Sequence, residues 1–277
     1  MILENRTDLA IEFEKPAQKS RTQHKNFGRI GVVFSNLEED NIYGKRKGKY
    51  ATLKVGNISL LPDYSEIEKA LVFCLEKLLP KKREKVLVAG LGNREITSDN
   101  IGPNIASKIL ATRHIKEEFS KLDGFEKMKS VSVISPSVLG KTGVETSEII
   151  SAMVEKIKPD CVIVIDALCA SKIENLFSVI QLCDSGISPG SGVKNNRKEL
   201  SYETLKIPTV AIGVPTVIEA KVIAKELTKN EKTQASELLV TPKDADLLSE
   251  NITQAISTAL NVFLQPDIDR EIVLNLV

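Results

Sequence analysis

The chain has no tryptophan, only two histidines and four cysteines in 277 residues, and 4% aromatic residues. His24 and His114 lie in charged surroundings with no HExxH pair, which argues against the common His-based hydrolases. Cys74, Cys161, Cys169 and Cys183 show no CxxC spacing, and two sit in apolar runs where a thiol behaves as a small hydrophobe. Neither a disulfide framework nor a zinc knuckle is indicated. No run approaches the ~20 apolar residues of a membrane span. The start, Met1-Ile2-Leu3-Glu4-Asn5, lacks the basic and apolar stretches of an export signal, so a cytoplasmic protein is expected. Excess charge of one sign is missing too: 38 Lys plus Arg against 37 Asp plus Glu leave a net +1. Whole-chain attraction to nucleic acid or membrane is therefore not expected.

What is present is an ordinary globular composition, 42% hydrophobic and 27% charged, long enough for one large domain with a modest extra lobe. Residues 1–62 differ from the rest. Segments 28–35 and 50–55 read as short strands around a Lys-rich loop, a small N-terminal β-rich extension packing on the main domain. From 63 to 277 helical stretches near 64–79, 103–117, 145–157, 216–228 and 243–264 alternate with apolar runs at 86–91, 130–135, 161–167, 177–182 and 209–214. Such β-branched runs predict an α/β fold with a mostly parallel central sheet and helices on both faces. Thr142 with Glu145, Thr216 with Glu219 and Thr241 with Asp244 have capping-box spacing at three helix starts, and Pro242 suits a first turn.

Ligands of open α/β sheets bind at the carboxyl ends of strands, so the loops after the apolar runs carry the candidates. The first, Gly90-Leu91-Gly92-Asn93-Arg94-Glu95, has a GxG, but Glu95 replaces the third glycine of a dinucleotide fingerprint. Its glycines let backbone, or a bound peptide, approach closely. Further along the same loop, Asp99 reads first as a cap for the helix that Pro103 begins. The strand Val162–Ile165 runs into Asp166, equally readable as a desolvated general acid–base or as a carboxylate satisfied by backbone amides. If the two aspartates face each other across the strand tips, the pair shares a proton and activates water. A third loop, Asp184 to Val193 with Gly186, Ser188, Gly190 and Gly192, offers amides to an oxyanion or a peptide backbone, or is simply a long connection. The basic run Lys194–Lys198 reads as a solvated face.

In order along nearly the whole chain, these segments resemble the germination proteases. The resemblance is carried by Arg6-Thr7-Asp8-Leu9-Ala10, Gly90-Leu-Gly-Asn93 with Thr97, Asp99 and Gly102-Pro103, Gly140 with Thr142-Gly143, and Glu145-Thr-Ser-Glu148. It continues through Ile165-Asp-Ala-Leu168, Asp184, Pro189-Gly-Ser-Gly-Val193, Arg197-Lys-Glu-Leu-Ser201, Ile212-Gly-Val-Pro-Thr216 and Val240-Thr-Pro-Lys243. The resemblance implies an atypical aspartic endopeptidase that starts degradation of small acid-soluble spore proteins during germination. It also implies no required cofactor or metal, a homotetramer in the spore core, a zymogen with a removable propeptide, and a fold similar to hydrogenase-maturation endopeptidases. The family's essential aspartates fall on Asp99 and Asp166, and Gly92, Asn93, Gly186, Ser188, Gly190 and Gly192 are the candidate substrate-binding positions.

The chain departs from the family pattern at Ser98, in place of the usual proline, at Ser171, in place of arginine, and at Ser188, in place of histidine; few residues precede Arg6, implying a short propeptide. Two other readings stay open: a metal-dependent maturation-type endopeptidase, for which two carboxylates make a thin site, and a catalytically silent binder of spore proteins.

Overall fold

The computed structural model describes residues 8–9, 20–40, 46–119, 125–189, 198–228 and 238–277. Its strands are β1 (Ser20–Phe27), β2 (Ile30–Leu37), β3 (Gly48–Lys54), β4 (Lys85–Gly90), β5 (Ser130–Ile134), β6 (Cys161–Ala170), β7 (Val179–Cys183), β8 (Thr209–Glu219) and β9 (Leu239–Val240). The helices are α1 (Ser65–Leu78), α2 (Ile101–Ser107), α3 (Arg113–Phe119), α4 (Leu139–Thr142), α5 (Thr146–Ile157), α6 (Tyr202–Leu205), α7 (Ala220–Thr228), α8 (Ala245–Leu264) and α9 (Arg270–Asn275). No described helix is long and apolar enough to cross a membrane.

One sheet runs in the order β1-β2-β3-β7-β8-β6-β4-β5, with β9 pairing β8. The strands β8, β6, β4 and β5 are mutually parallel. They hold the apolar runs read from the sequence. The β1–β3 meander is not a separate layer: β3 pairs antiparallel with β7, which pairs antiparallel with β8, so the N-terminal strands extend the main sheet. The run at 177–182 was expected among the parallel strands but runs against them. Only a short link separates β6 from β7, whereas a return to parallel needs a crossover of a dozen residues or so.

Alternation along the strands divides the molecule into layers. Ile163, Ile165, Val210, Ile212 and Val214 face α1, α2 and α8 in the larger core, while Val162 and Val164 face α5 and α6. Thus helices cover both faces, as the α/β reading requires. In α1 the buried residues Ile67, Ala70, Leu71, Cys74, Leu75 and Leu78 follow the i, i+3, i+4 spacing of one helical face.

Two expected helices are corrected. The stretch 103–117 breaks into α2 and α3 because other elements take the backbone groups between them. Asn261 of α8 accepts from Leu110 N–H (2.9 Å) and donates to the Lys108 carbonyl (2.8 Å), and Thr112 N–H donates to the Val131 carbonyl of β5 (3.0 Å) while its Oγ1 accepts from Val131 N–H (3.0 Å). The stretch 216–228 begins as strand: β8 continues to Glu219, with Val217 and Ile218 pairing with β6 beyond the register shift at Thr216, and Ile218 and Glu219 pairing with β9. None of the three proposed capping boxes forms. Thr142 bonds within its own turn, Thr216 lies in β8, and Thr241 Oγ1 donates to the Thr216 carbonyl (2.8 Å).

All four cysteines are free and buried, and burial pushes the Cys74 and Cys161 thiols up to about 12. At pH 8 their thiolate populations are then roughly 10³-fold below that of an ordinary cysteine. Iodoacetamide is expected to leave both unmodified in native protein and to alkylate all four once guanidinium unfolds it. Peptide mass mapping checks this, and label on Cys74 or Cys161 before unfolding contradicts it.

Candidate active site

Where β4 ends, beside Ile165 in the middle of β6, the chain is packed more tightly than side chains permit. A Cβ on Gly90 would lie 2.1 Å from the Gly102 carbonyl oxygen. One on Gly102 would lie 2.2 Å from the Leu91 oxygen and 2.6 Å from the Ile165 oxygen. The two glycines therefore let the first turn of α2 rest directly on the strand tips. Across the same spot Leu91 N–H donates to the Ile165 carbonyl (2.8 Å), so the residue before Asp166 is tied to the loop that leads to Asp99.

That loop is held in place from three sides. Asp99 does not cap α2, as its position suggested; its Oδ2 instead accepts from Asn93 N–H (2.8 Å) back across the turn. Gly92 takes a left-handed φ of 114°, and a Cβ there would fall 2.1 Å from the Asp99 carbonyl oxygen. Thr216 Oγ1 donates to the Ser98 carbonyl (2.5 Å), and Ser249 Oγ of α8 donates to Asn100 Oδ1 (2.8 Å). Thr241 Oγ1 in turn donates to the Thr216 carbonyl (2.8 Å), tying the stretch before α8 to the residue whose hydroxyl holds the Asp99 turn. Hence two threonines read as helix caps fasten the candidate site instead.

Asp166, expected at a strand end, lies inside β6, which runs on to Ala170; it is 5% exposed, and its Oδ1 accepts from the next amide, Ala167 N–H (2.9 Å). By strand alternation it shares a face with Val162 and Val164. Its register partner in β8 is Gly213, which has no side chain to cover it. Beyond Leu168 the register slips. There the N-terminal segment docks, with Asp8 N–H donating to the Cys169 carbonyl (3.0 Å), Asp8 Oδ2 accepting from Cys169 N–H (2.9 Å), and Leu9 fully buried.

On the same face as Asp166 a cavity of about 140 Å³ opens over β8, β7 and β3, lined by Tyr50, Leu168, Gly186, Ser188, Glu199 and Gly213 among others. Two of the candidate substrate-binding residues, Gly186 and Ser188, thus line this cavity, whereas Gly92 and Asn93 belong to the Asp99 turn. Gly190 and Gly192 lie outside the described residues. The wall is rigid. Tyr50 O–H donates to the Arg46 carbonyl (2.7 Å) and accepts from Ser185 Oγ (2.8 Å), and Asp184 Oδ1 accepts from Lys49 N–H (2.7 Å). Burial raises both the Tyr50 hydroxyl and the Asp184 carboxyl above their ordinary values. Ile187 and Leu200 exchange backbone bonds that close the rim. Tyr50, Arg46 and Glu199 were not singled out as site residues from sequence; two sit on or beside β3, more than a hundred positions from the loop they meet. Among the described residues no group of three or more His, Cys, Asp or Glu is placed to hold a metal.

Comparison with known proteins is consistent along the chain. A family model described as germination protease matches residues 12–230. The germination protease of Caldanaerobacter subterraneus subsp. tengcongensis is 38% identical over 96% of this chain and 96% of its own. That of Clostridium tetani is 38% identical over 96% of this chain and 97% of its own, and that of Priestia megaterium is 40% identical over 80% of this chain and 65% of its own. Among solved structures, a NiFe hydrogenase maturation protease from Thermococcus kodakarensis superposes with a TM-score of 0.38 at 16% identity, covering 68% of this chain and 98% of that one.

Proposed function

The chain belongs to the germination protease family and is a peptidase of that family, and from this premise we propose that it is the endopeptidase that begins degradation of small acid-soluble spore proteins, with water activated between Asp99 and Asp166. The observation that carries this reading is the placement of the two aspartates on neighbouring elements, Asp99 in the turn that follows β4 and the nearly enclosed Asp166 within β6, each anchored by a backbone amide: Asp99 by Asn93 N–H and Asp166 by Ala167 N–H. The reading requires the two carboxyls to come close enough to share one proton.

In the proposed reaction the ionised member takes a proton from water while the protonated member donates to the scissile carbonyl oxygen. The new C–O bond forms a tetrahedral intermediate. The member now protonated passes its proton to the leaving amide nitrogen while the other takes a proton from a hydroxyl of the intermediate as the C–N bond breaks, giving a carboxylic acid and an amine and returning the pair to one proton. In the same reading the loop at 186–192 holds the extended substrate strand, and its Gly186 and Ser188 line the cavity. The family resemblance supports, in the same reading, a homotetramer made as a zymogen and matured by self-cleavage in the spore core.

The test is incubation of the protein with a purified small acid-soluble spore protein, with and without EDTA, the products read by mass spectrometry. Discrete fragments at equal rates in both samples are expected. Loss of cleavage in EDTA, restored by a divalent metal, would favour the maturation-type metal enzyme. Intact substrate bound to folded protein would favour a silent binder.

A further inference from the structure

The N-terminal sheet extension carries a charge that the proposed reaction does not use. Of the chain's 38 Lys plus Arg and 37 Asp plus Glu, residues 20–54 hold eight and three, which leaves 30 against 34 for the rest. Where this extension meets the end of α1 lies a groove of about 420 Å³, lined by Gln23, Lys25, Phe34, Asn36, Phe73 and Lys77 among others. Two of its cations gather at one ring: Lys25 Nζ stands 3.7 Å and Lys77 Nζ 5.6 Å from the Phe73 centroid. The ring attracts both ammonium groups, while each repels the other. Among the described residues neither forms an ion pair, and the adjacent Glu76 is engaged by Arg83. Lys49, a third cation on the rim, has the Asp184 carboxylate beside it. The side-chain amides of Gln23 and Asn36 make no hydrogen bond among the described residues.

We propose that this groove binds a nucleotide, its phosphate between Lys25 and Lys77 and its base against Phe34 and Leu78, with Gln23 and Asn36 at the base edge. A phosphate supplies the negative charge that the two lysines lack. Inorganic phosphate would leave the Phe34 side wet, and a neutral ring would leave the lysines unpaired. Phe73 is already flanked by Phe27 and Phe34, with ring centroids at 5.3 and 5.8 Å, so the base rests on the outer ring, Phe34. The amides narrow the class further, because each carries donors and an acceptor, the kinds of group that base edges display. An acidic side chain on an apolar stem would use the lysines and leave those amides idle. The volume is that of a small-molecule site, about 300–1,000 Å³. Residues 22–26 of β1 are exposed, so the groove is also open to a longer strand passing over it. A free nucleotide and one residue of a single-stranded nucleic acid present the same chemistry here. The groove lies on the α1 face of the sheet, opposite the face that Asp166 shares with Val162 and Val164, so the inference does not depend on the peptidase mechanism.

The experiment is isothermal titration calorimetry on the full chain with AMP, with ribose 5-phosphate, which lacks the base, with adenosine, which lacks the phosphate, and with a glutamate-rich peptide, which is anionic without a base. AMP is expected to bind at least about 10-fold more tightly than each of the other three, a gap within the range that one stacked base supplies. Lys25→Ala and Lys77→Ala should each weaken AMP about 3- to 5-fold, the upper end for an exposed ion pair. Asn36→Ala should narrow the gap between AMP and ribose 5-phosphate, which a mere loss of positive charge would not do. Circular dichroism checks that the variants fold, and cleavage of a spore protein should proceed in all three as in the wild type. An oligoadenylate of about 12 nucleotides separates the two sources. Binding more than about 10-fold tighter than AMP, and weakening as salt rises, assigns the groove to a single strand; binding equal to AMP assigns it to the free nucleotide. AMP bound no more tightly than ribose 5-phosphate or the glutamate-rich peptide, or AMP affinity indifferent to both lysine substitutions, would overturn the proposal. A wild type that binds AMP in this way and cleaves nothing keeps the nucleotide groove while the endopeptidase reading falls.

Discussion

Replacing either Asp99 or Asp166 with asparagine is expected to lower kcat/KM for cleavage of a small acid-soluble spore protein by about 10²–10⁴-fold, the range for losing a positioned general acid or base. Neither substitution should unfold the protein. Asparagine keeps the volume and one oxygen, so Asn93 N–H and Ala167 N–H each retain an acceptor. The loss is expected in kcat, because the amide cannot hold or pass the proton, while KM changes little. The Asp99→Asn, Asp166→Asn double variant should be no slower than the worse single one, since two groups that act as a unit fail together. Steady-state kinetics on the three variants, with circular dichroism to confirm folding, checks this. Either single variant retaining more than about a tenth of the wild-type kcat/KM would exclude the shared-proton mechanism.

Why that prediction could be framed from sequence at all is a matter of locality. The β-branched run into Asp166 is contiguous, so a desolvated carboxylate is readable there, but β6 runs on to Ala170 and the aspartate stands inside the strand, level with the end of β4, instead of at a strand end. Likewise the glycines at 90, 92 and 102 lie within one loop-helix unit, so their role in close approach was readable before any coordinates. What was misread depended on distant partners. Thr216 and Thr241 have capping spacing, yet strand pairing and the Ser98 carbonyl compete for their residues and win, because a long β8 satisfies more backbone groups than one cap. Asp99 has a helix directly after it, yet its carboxylate turns to Asn93 because the left-handed Gly92 brings that amide within reach. The break between α2 and α3 needs Asn261 from α8, and the cavity wall needs Arg46 and Tyr50 from the N-terminal strands against Glu199. No local pattern encodes such meetings. The β-rich start reads as an appendage in sequence for the same reason: only the β3–β7 pairing, set by residues about 130 apart (Tyr50 with Cys183), makes it part of the sheet that floors the site.

Gly102→Ala is expected to be the most damaging substitution that leaves every polar group of the site in place. Its methyl would begin 2.2 Å from the Leu91 oxygen and 2.6 Å from both the Ile165 oxygen and the Leu91 nitrogen, all backbone atoms that cannot swing aside. Relief requires α2 to lift from the strand tips by on the order of 1 Å, a misplacement of the size that can lower a rate by about 10²-fold. The displacement acts on both aspartates, since Leu91 N–H holds the carbonyl just before Asp166 and α2 follows directly on the Asp99 turn. Overpacking of this kind also destabilises by about 1–3 kcal/mol. Gly140→Ala is the control. That glycine lies in α4 with open space around its would-be Cβ and no left-handed φ, so alanine there should leave activity unchanged and stabilise by about 0.5–1 kcal/mol. Urea unfolding and kcat/KM for both variants separate geometry from stability: if Gly102→Ala lost stability but kept its rate per folded molecule, the contact of α2 with the strand tips would serve the fold alone, and the position of the aspartates would have to be fixed by the Thr216 and Ser249 hydroxyls instead.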